Sequence, residues 1–347
     1  MKLRKIKLGI VFAAAILLLN GCTLKEPSED VLKKTDFVKD DAAEVTLVMA
    51  ELNSLDTTAG MIDQKFKEEV EERSNGKMKI DIQPNGVLGS ETDVLDTMIG
   101  GGGTVDMARI TAGALTTYGS ENAVLLSLPY TFTSREHFWN FAQSDLSKEF
   151  LLEPLGKNVR IRGLFFGEEG FRHFFTKEKI TGLESLKNKK LRVADDPIMN
   201  GLVNGLGASP TVVSFGELYS ALQTGVVDGA EQPIPNYRSN AFNEVAPNLI
   251  LDGHTLGILE IVIAEDSWDK LTQEQQQIIT DAVDAVSEYN RSISEKKENE
   301  VLEELKNSKV EIVEIEDKSE WQNAVKDVVS QNVKGKEDLY QQILDMQ

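Results

Sequence analysis

The residue types that most often do chemistry in proteins are present in this chain, but their spacing matches no catalytic or metal-binding pattern. The three histidines are His137, His173 and His254, and none has a second histidine or a cysteine at the spacing of a metal site. The sequence contains no Gly-x-Ser-x-Gly elbow, no P-loop and no dinucleotide-binding fingerprint. We therefore predict that the protein is not an enzyme and that it uses no metal or other cofactor.

Two further features resemble sites but lack the residues that such sites need. The glycine run at 100–103 is not followed by the Lys-Ser/Thr pair that holds a phosphate, so it predicts a helix C-cap and a turn. Glu168-Glu169 and Asp195-Asp196 are adjacent acids. Acid–base catalysis needs two carboxyl groups that face each other across a substrate. We assign these four acids no catalytic role.

The N-terminus has the layout of an exported lipoprotein. Residues 1–7 carry four basic side chains, and the apolar segment at 8–19 is well short of the ~20 residues that a helix needs to cross a bilayer. Gly21-Cys22 follows and looks like a lipobox, the sequence at which bacterial lipoproteins are cut and acylated. We predict a signal peptide at 1–22, lipidation of Cys22 and a charged tether at 23–43; an uncleaved membrane anchor is the alternative. Both place the body of the chain outside the cytoplasm.

The formal net charge of −20 limits the possible partners. Such acidity argues against nucleic acid and against an anionic membrane surface. It does not exclude a small anionic ligand, because a few buried arginines outweigh a screened net charge at short range. Cys22 is the only cysteine in the sequence, so the folded body is predicted to have no internal disulfide.

Strand-like and helix-like patterns alternate along the body of the chain. Strands are predicted at residues 45–50, 77–83, 105–110, 159–166, 190–194 and 226–230. Helices are predicted at residues 59–73, 91–99 and 215–222. This alternation is typical of an α/β fold with crossover connections, and the length favours two lobes over one.

One predicted helix is much longer than the others. It begins at Thr272, where Gln275 three residues later completes a capping box, and it runs to about Asn307, on the order of 50 Å at 1.5 Å per residue. A helix of this length can brace two lobes along their backs. The alternative is an ordinary helix that breaks near residues 292–294.

The most specific motifs lie between residues 191 and 231. They are Leu-Arg-Val at 191–193, Gly-Ala-Ser-Pro-Thr at 207–211, Phe-Gly-Glu-Leu-Tyr at 215–219 and Ala-Leu-Gln-Thr-Gly-Val-Val-Asp-Gly-Ala-Glu at 221–231. Together they closely resemble the substrate-binding proteins of TRAP (tripartite ATP-independent periplasmic) transporters. Upstream of these motifs, the segments at 84–91, 105–108 and 128–130 occur in the same order as in the family, so the resemblance covers residues 45–346.

The resemblance implies roles for three residues. Arg192 matches the family arginine that forms a two-pronged salt bridge with the substrate carboxylate, for which the planar guanidinium is well shaped. Arg172 matches a second arginine near the same carboxylate. Gln232 stands where many members have the shorter asparagine. For each arginine the alternative is a surface or interlobe salt bridge.

Three further candidates come from departures from the family or from weaker matches. Arg109 stands where the family often has an apolar residue, so it offers a second cationic contact unless it forms an interlobe ion pair. Thr111 and Glu91 are candidates for contacts to ligand hydroxyls, with core or surface roles as alternatives.

The resemblance also implies a two-lobed periplasmic-binding-protein-like α/β fold, with the ligand cleft between the lobes and the long helix as a brace. We place lobe one at 44–169 with 258–297 and lobe two at 170–257 with 298–347. Ligand binding is expected to shift an equilibrium between open and closed lobes.

We therefore expect a monomeric extracytoplasmic lipoprotein that captures a small organic acid and delivers it to the membrane subunits of a TRAP transporter. Sugar acids and C4-dicarboxylates are the expected ligands, and Arg109 and Gln232 favour sugar acids. A 2-oxo acid ligand, or a sensing role for a signalling receptor, is the alternative. An enzyme or an adhesin on a similar scaffold would need features that the sequence lacks.

Overall fold

The computed structural model describes residues 43–347. The predicted signal peptide, Cys22 and all but the last residue of the predicted tether lie outside this range. Within it, no helix combines the length and the hydrophobicity that are needed to cross a membrane.

The described chain alternates strands and helices, as the sequence predicts. The strands are β1 (Val45–Ala50), β2 (Met78–Gln83), β3 (Met107–Thr111), β4 (Ile161–Thr176), β5 (Lys190–Val193), β6 (Ser209–Val212), β7 (Gly229–Pro233), β8 (Asn248–Ala264) and β9 (Glu311–Glu314). The helices are α1 (Thr58–Arg73), α2 (Glu91–Ile99), α3 (Val124–Ser127), α4 (Arg135–Ala142), α5 (Asp145–Gly156), α6 (Pro197–Gly205), α7 (Leu218–Thr224), α8 (Ile234–Ser239), α9 (Phe242–Val245), α10 (Glu265–Trp268), α11 (Gln273–Lys306), α12 (Ser319–Val333) and α13 (Glu337–Leu344). Short 3-10 turns lie at Ala114–Tyr118, Leu183–Leu186 and Phe215–Glu217.

All the strands of the described chain belong to one sheet, in the order β2-β1-β3-β8-β4-β7-β5-β6, with β9 on β8. On one side, β1 lies parallel to β2 and β3; on the other, β5 lies parallel to β6 and β7. Each side has the parallel crossover pattern of an α/β lobe.

Two long antiparallel strands, β4 and β8, join the two sides. The first half of β4 pairs with the last third of β8 beside β3, and the second half of β4 pairs with the start of β8 beside β7. Each strand therefore belongs to both lobes. The sequence predicted only residues 159–166 of β4, because Gly167-Glu168-Glu169-Gly170 interrupts the apolar pattern, and it did not identify β8.

The described hydrophobic core is divided between the two sides. One cluster gathers Phe66, Phe138 and Ile263 around the first lobe, and another gathers Leu191, Leu202 and Trp321 around the second. The two lobes each bury apolar side chains of their own, which leaves polar residues to line the space between them.

The long helix α11 runs unbroken from Gln273 to Lys306, with the predicted capping box at Thr272. Its Ile279 and Val286 pack in the core of the first lobe, whereas Val301 and Leu305 pack in a cluster of the second. The predicted brace between the lobes is confirmed, and the alternative break near residues 292–294 is wrong.

The C-terminal helices contact both sides of the molecule. Val328 of α12 packs against Gly201 of α6, and the carbonyl oxygen of Ile343 in α13 lies 2.7 Å from His137 Nε2 in α4. The last segment, which the sequence assigned to lobe two, thus also contacts a helix of the predicted lobe one. The lobe boundaries remain predictions.

Candidate ligand-binding site

A cleft of about 220 Å³ lies between the two sides of the sheet. It is lined by all six residues that the sequence singled out as ligand contacts: Glu91, Arg109, Thr111, Arg172, Arg192 and Gln232. The strands β3, β4, β5 and β7 and the start of α2 supply these side chains. Positions that are up to 141 residues apart in the numbering of the chain therefore meet at one place.

Strand alternation places Arg192 in the cleft. Its neighbours Leu191 and Val193 are fully buried in the core of the second lobe, so the side chain between them faces the other side of β5. Arg192 Nε donates to the carbonyl oxygen of Val213 at 2.8 Å, and the guanidinium carbon lies 5.9 Å from the centre of the Phe215 ring. These contacts hold the guanidinium without neutralising it.

Arg192 is a buried cation without a carboxylate partner among residues 43–347. Burial, together with the nearby charge of Arg172, lowers its pKa to about 10, although Glu231 partly offsets this. The side chain is still charged at neutral pH. A carboxylate placed against it would relieve this unfavourable burial and match the fork of donors.

Arg172, by contrast, already has a carboxylate partner. Its Nη2 donates to Glu231 Oε1 at 2.9 Å and its Nε donates to Glu231 Oε2, while Nη1 lies 3.6 Å from Glu169 Oε1. Although burial opposes ionisation, the charges of Arg172 and His254 lower the pKa of Glu231 to about 2. Arg172 therefore approaches the cleft as one half of a neutral pair.

A buried histidine, His254, lies beside Glu231 of this pair. His254 Nδ1 lies 2.6 Å from Asp252 Oδ2, and its Nε2 lies 3.5 Å from Glu231 Oε2. Burial alone would lower the pKa of His254, but Asp252 and Glu231 raise it to about 9. The two carboxylates therefore favour the charged form of His254, and the charged ring in turn favours the ionised form of Glu231.

Arg109 is also paired, on the opposite side of the cleft. Its Nε donates to Glu51 Oε2 at 2.7 Å and its Nη2 donates to Glu51 Oε1. This ion pair joins β3 to the residue that follows β1, within the predicted lobe one. Both arms of Glu51 are used, and Nη1 of Arg109 has no hydrogen bond within the described chain.

Thr111 and Glu91 are joined to each other. Glu91 Oε1 accepts from the backbone N–H of Thr111 at 2.8 Å, and Oε2 accepts from its hydroxyl at 3.1 Å. Burial raises the pKa of Glu91, and the bonds from Thr111 partly offset this. Gln232 is only 3 % exposed, and its side-chain amide has no hydrogen bond within the described chain, so the amide is available to a ligand.

Several residues of the cleft were not identified as contacts from the sequence. These are chiefly Asn53, Tyr118, Glu169, Asn236 and Phe215. Asn53 and Asn236 each have a buried side-chain oxygen without a hydrogen bond within the described range. Phe215 opens a family motif, which is the one signal that pointed to it; the other four come together only in three dimensions.

Chemistry other than binding finds little support in this arrangement. Among residues 43–347, no group of three or more His, Cys, Asp or Glu side chains is placed to hold a metal ion. Two of the arginines that line the cleft are engaged with carboxylates, whereas the guanidinium of Arg192 and the side-chain amide of Gln232 are open. The charges of such a site suit a small polar anion.

Fold and cleft together define a solute-binding protein of a transport system, not an enzyme. Residues 49–336 match the family described as bacterial extracellular solute-binding protein, family 7, and the chain belongs to that family. Proteins of this family work outside the cytoplasm, and the resemblance to TRAP transporter binding proteins is confirmed.

Three relatives illustrate the range of the family. A solute-binding protein of Roseobacter denitrificans is 32 % identical over 84 % of this chain and 88 % of its own; its structure, with bound L-galactonate, has a TM-score of 0.80 at 30 % identity and covers 88 % and 99 % of the two chains. A TRAP binding protein of Xanthobacter autotrophicus with bound β-D-galacturonate has a TM-score of 0.81 at 28 % identity, covering 87 % and 100 %. The C4-dicarboxylate-binding protein DctB of Bacillus subtilis is 30 % identical over 79 % of this chain and 78 % of its own.

Proposed function

We propose that this protein captures a sugar acid and delivers it to the membrane subunits of a TRAP transporter. The sugar acid is an aldonate or a uronate, with one carboxylate and several hydroxyl groups. The observation that carries this proposal is the charge balance of the cleft. Of the three arginines that line it, Arg109 and Arg172 each form a two-pronged pair with a glutamate, and Arg192 alone has none within residues 43–347. One open cation matches one carboxylate.

The side of the cleft that faces Arg192 suits hydroxyl groups better than a second carboxylate. Glu91 lines the cleft and would repel a second negative charge, whereas its carboxylate can accept hydrogen bonds from hydroxyls. Asn53 and Asn236 offer amide oxygens that lack donors. To form a two-pronged pair of its own, the second carboxylate of a dicarboxylate would have to displace Glu51 from Arg109 or Glu231 from Arg172, leaving a buried carboxylate unpaired.

The relatives are consistent with both ligand classes. The Roseobacter and Xanthobacter proteins hold sugar acids, and the Bacillus protein bears the name of a C4-dicarboxylate-binding protein. In this chain, the paired state of Arg109 and Arg172 favours the sugar acids.

Calorimetric titration with L-galactonate, D-galacturonate and succinate tests the ligand class. A ligand present at ~100 times its dissociation constant adds about 2.7 kcal/mol to the free energy of unfolding, so a thermal-shift screen can precede the titrations. We expect the sugar acids to bind much more tightly than succinate. Tighter binding of succinate would refute the assignment and indicate that Arg109 or Arg172 leaves its glutamate.

The proposed lipid anchor at Cys22 has a separate test. Its basis is the sequence of the N-terminus, with four basic residues, a short apolar segment and Gly21-Cys22. The variant Cys22→Ala should no longer incorporate labelled fatty acid and should remain unprocessed or be released into the medium. Membrane retention and gel mobility like those of the unaltered protein would argue against lipidation.

A further inference from the structure

Behind Arg109, two carboxyl groups lie against each other in the interior of the first lobe. Glu51 follows β1 and is 1 % exposed, and Asp63 lies on α1 and is fully buried. The side chain of Asp63 is within hydrogen-bonding reach of the Glu51 carboxylate. Asp63 is not among the residues that line the cleft. Any effect of Asp63 on a ligand must therefore pass through Glu51 and Arg109.

The two carboxyl groups differ in the donors around them. Glu51 accepts from Arg109 Nε at 2.7 Å, from Arg109 Nη2, and from Asn53 Nδ2 at 2.8 Å. Neither oxygen of Asp63 accepts a hydrogen bond from any residue in the described range. A buried carboxylate that accepts no hydrogen bonds beside a second carboxylate is strongly disfavoured, whereas a carboxylic acid in the same place has a donor to offer.

The electrostatic surroundings point the same way. Burial and the adjacent charge of Glu51 raise the pKa of Asp63 well above the usual carboxyl range; Glu169 adds to this and Arg109 opposes it. Burial opposes ionisation of Glu51 as well, but the charge of Arg109 lowers its pKa. These effects favour a proton on Asp63 over one on Glu51.

We infer that Asp63 is a positioning residue whose protonated carboxyl donates to Glu51 and thereby fixes Arg109 for the ligand. With Asp63 neutral, Arg109 and Glu51 balance each other, and Nη1 of Arg109 points free of the pair. With Asp63 ionised, this side of the cleft gains a negative charge, which repels an acid. The part of this inference that concerns ligand affinity rests on the proposed function; the protonation of Asp63 does not.

Infrared difference spectroscopy tests the protonation without any ligand. The spectrum of the full chain minus that of Asp63→Asn at neutral pH should contain the carbonyl band of a protonated carboxylic acid. Glu260→Gln is the matched control for detection, because Glu260 is 3 % exposed, its Oε1 has no partner in the described range, and burial raises its pKa well above the usual range. A Glu260 band without an Asp63 band would overturn the inference.

Calorimetric titration with L-galactonate tests the positioning role. Asp63→Asn keeps a donor to Glu51 and should bind within about threefold of the unaltered protein, whereas Asp63→Ala leaves Glu51 short of one donor and should bind about tenfold more weakly. Glu260→Gln should bind normally. Equal affinities of Asp63→Ala and the unaltered protein, with both folded, would refute the role, as would a loss in Asp63→Asn as large as in Asp63→Ala.

Two further readouts separate positioning from general stability. In an Arg109→Met background, Asp63→Ala should cause little additional loss of affinity, because its effect passes through Arg109. At alkaline pH the affinity of the unaltered protein should fall as Asp63 ionises, and that of Asp63→Asn should fall less. Additive losses with identical pH profiles would contradict the inference. If L-galactonate bound to none of these proteins, the proposed ligand would be wrong, while the infrared band would still decide the protonation.

Discussion

Arg192 Nε donates a 2.8 Å hydrogen bond to the carbonyl oxygen of Val213, and within the described chain this is the one hydrogen bond of that guanidinium. The bond fixes the orientation of the side chain but leaves its positive charge unmatched. Arg172 and Arg109, by comparison, are each matched by a glutamate. The difference between one open and two paired arginines sets the first prediction.

Arg192→Ala should remove most of the affinity for the ligand. Deleting one partner of a buried, hydrogen-bonded charge pair costs about 3–5 kcal/mol, a factor of hundreds to thousands in affinity. Arg192→Lys keeps the charge but loses the fork, so it should recover part of the binding. Titration of both variants, after circular dichroism has shown that they are folded, provides the measurement.

The matched control for this prediction is Arg238→Ala. Arg238 is paired with Glu304 in a solvent-exposed contact outside the cleft, with 2.6 Å between Nη2 and Oε1. The Arg238→Ala variant should bind the ligand as tightly as the unaltered protein does. Near-normal affinity in folded Arg192→Ala would show that the ligand carboxylate lies elsewhere.

The sequence was sufficient to place Arg192 but not to describe the state of its neighbours. Local alternation around Leu191 and Val193 predicts which way Arg192 points, because that pattern involves adjacent residues. The partner of Arg109 is 58 positions away, at the end of a different strand. Such a pairing depends on the order of strands in the sheet, which no local pattern contains.

The same distinction applies to the fold. The bounds of α2 were predicted from its amphipathic pattern alone, and the glycine run after it begins with the predicted C-cap, Gly100. The sequence left the continuity of α11 open near residues 292–294, where Asn290 and Ser294 are buried polar residues of the helix. Both side chains bond to the backbone of Glu168 in β4, so their polarity is explained by a tertiary contact.

The second prediction concerns stability against pH and rests on His254. Its pKa in the folded protein is raised to about 9, above the ordinary value of 6.5. The folded state thus binds the proton more tightly than the unfolded state, so this contribution to stability is fully present below pH 6.5 and is lost as the pH rises through 9. His254→Asn should lack this decline.

Thermal unfolding would measure the effect, with melting curves recorded between pH 6 and pH 10 at intervals of about one pH unit. Glu231, with a pKa of about 2, does not titrate in this window, and Asp63 and Glu260, whose pKa values are raised by burial, are present in both proteins. The difference between the two curves can therefore be assigned to the histidine. Parallel curves for the two proteins would show that His254 is neutral in the folded state.

Gly113→Ala is expected to weaken ligand binding by about tenfold, through an overpacked contact between the lobes. Gly113 has φ of −78°, which any residue can adopt, so the backbone itself would not be strained. A Cβ atom there would lie 2.5 Å from Ser127 Oγ and 2.7 Å from Asp196 Oδ2. Asp196 cannot easily move, because its side chain caps α6 with a 2.7 Å bond from the N–H of Ile198.

A second substitution tests whether a collision between the Cβ atom of Gly113→Ala and Asp196 causes the loss of affinity. Asp196→Ser can still cap α6 but has a shorter side chain, so it should restore part of the affinity lost in Gly113→Ala. Gly156→Ala is the control, since a Cβ atom at Gly156 would meet nothing within 4 Å. Unchanged affinity in Gly113→Ala would show that the lobes do not need this close approach.

The last prediction is that Asn290 makes a large contribution to the free energy of unfolding. Its Nδ2 donates to the carbonyl oxygen of Glu168 at 2.8 Å, and its Oδ1 accepts from the N–H of Glu168 at 2.9 Å. Asn290 thus satisfies both backbone groups of one residue in β4, close to the bulge where this strand passes between the lobes. Asn290→Ala would leave both groups buried without that partner.

The carbonyl oxygen of Glu168 keeps the hydroxyl of Ser294 as a donor at 3.1 Å, so the backbone N–H is the group left unsatisfied. One unsatisfied buried group costs about 1–3 kcal/mol, and we expect Asn290→Ala to lower the free energy of unfolding by about that amount. Urea denaturation followed by circular dichroism is the measurement, with the slope against urea concentration compared between variants. Arg291→Ala, at the adjacent exposed position of α11, is the control and should change the free energy by less than about 0.5 kcal/mol. If Asn290→Ala and Arg291→Ala were equally stable, α11 would brace the two lobes by its apolar face alone, and the polar contact with Glu168 would have no structural importance.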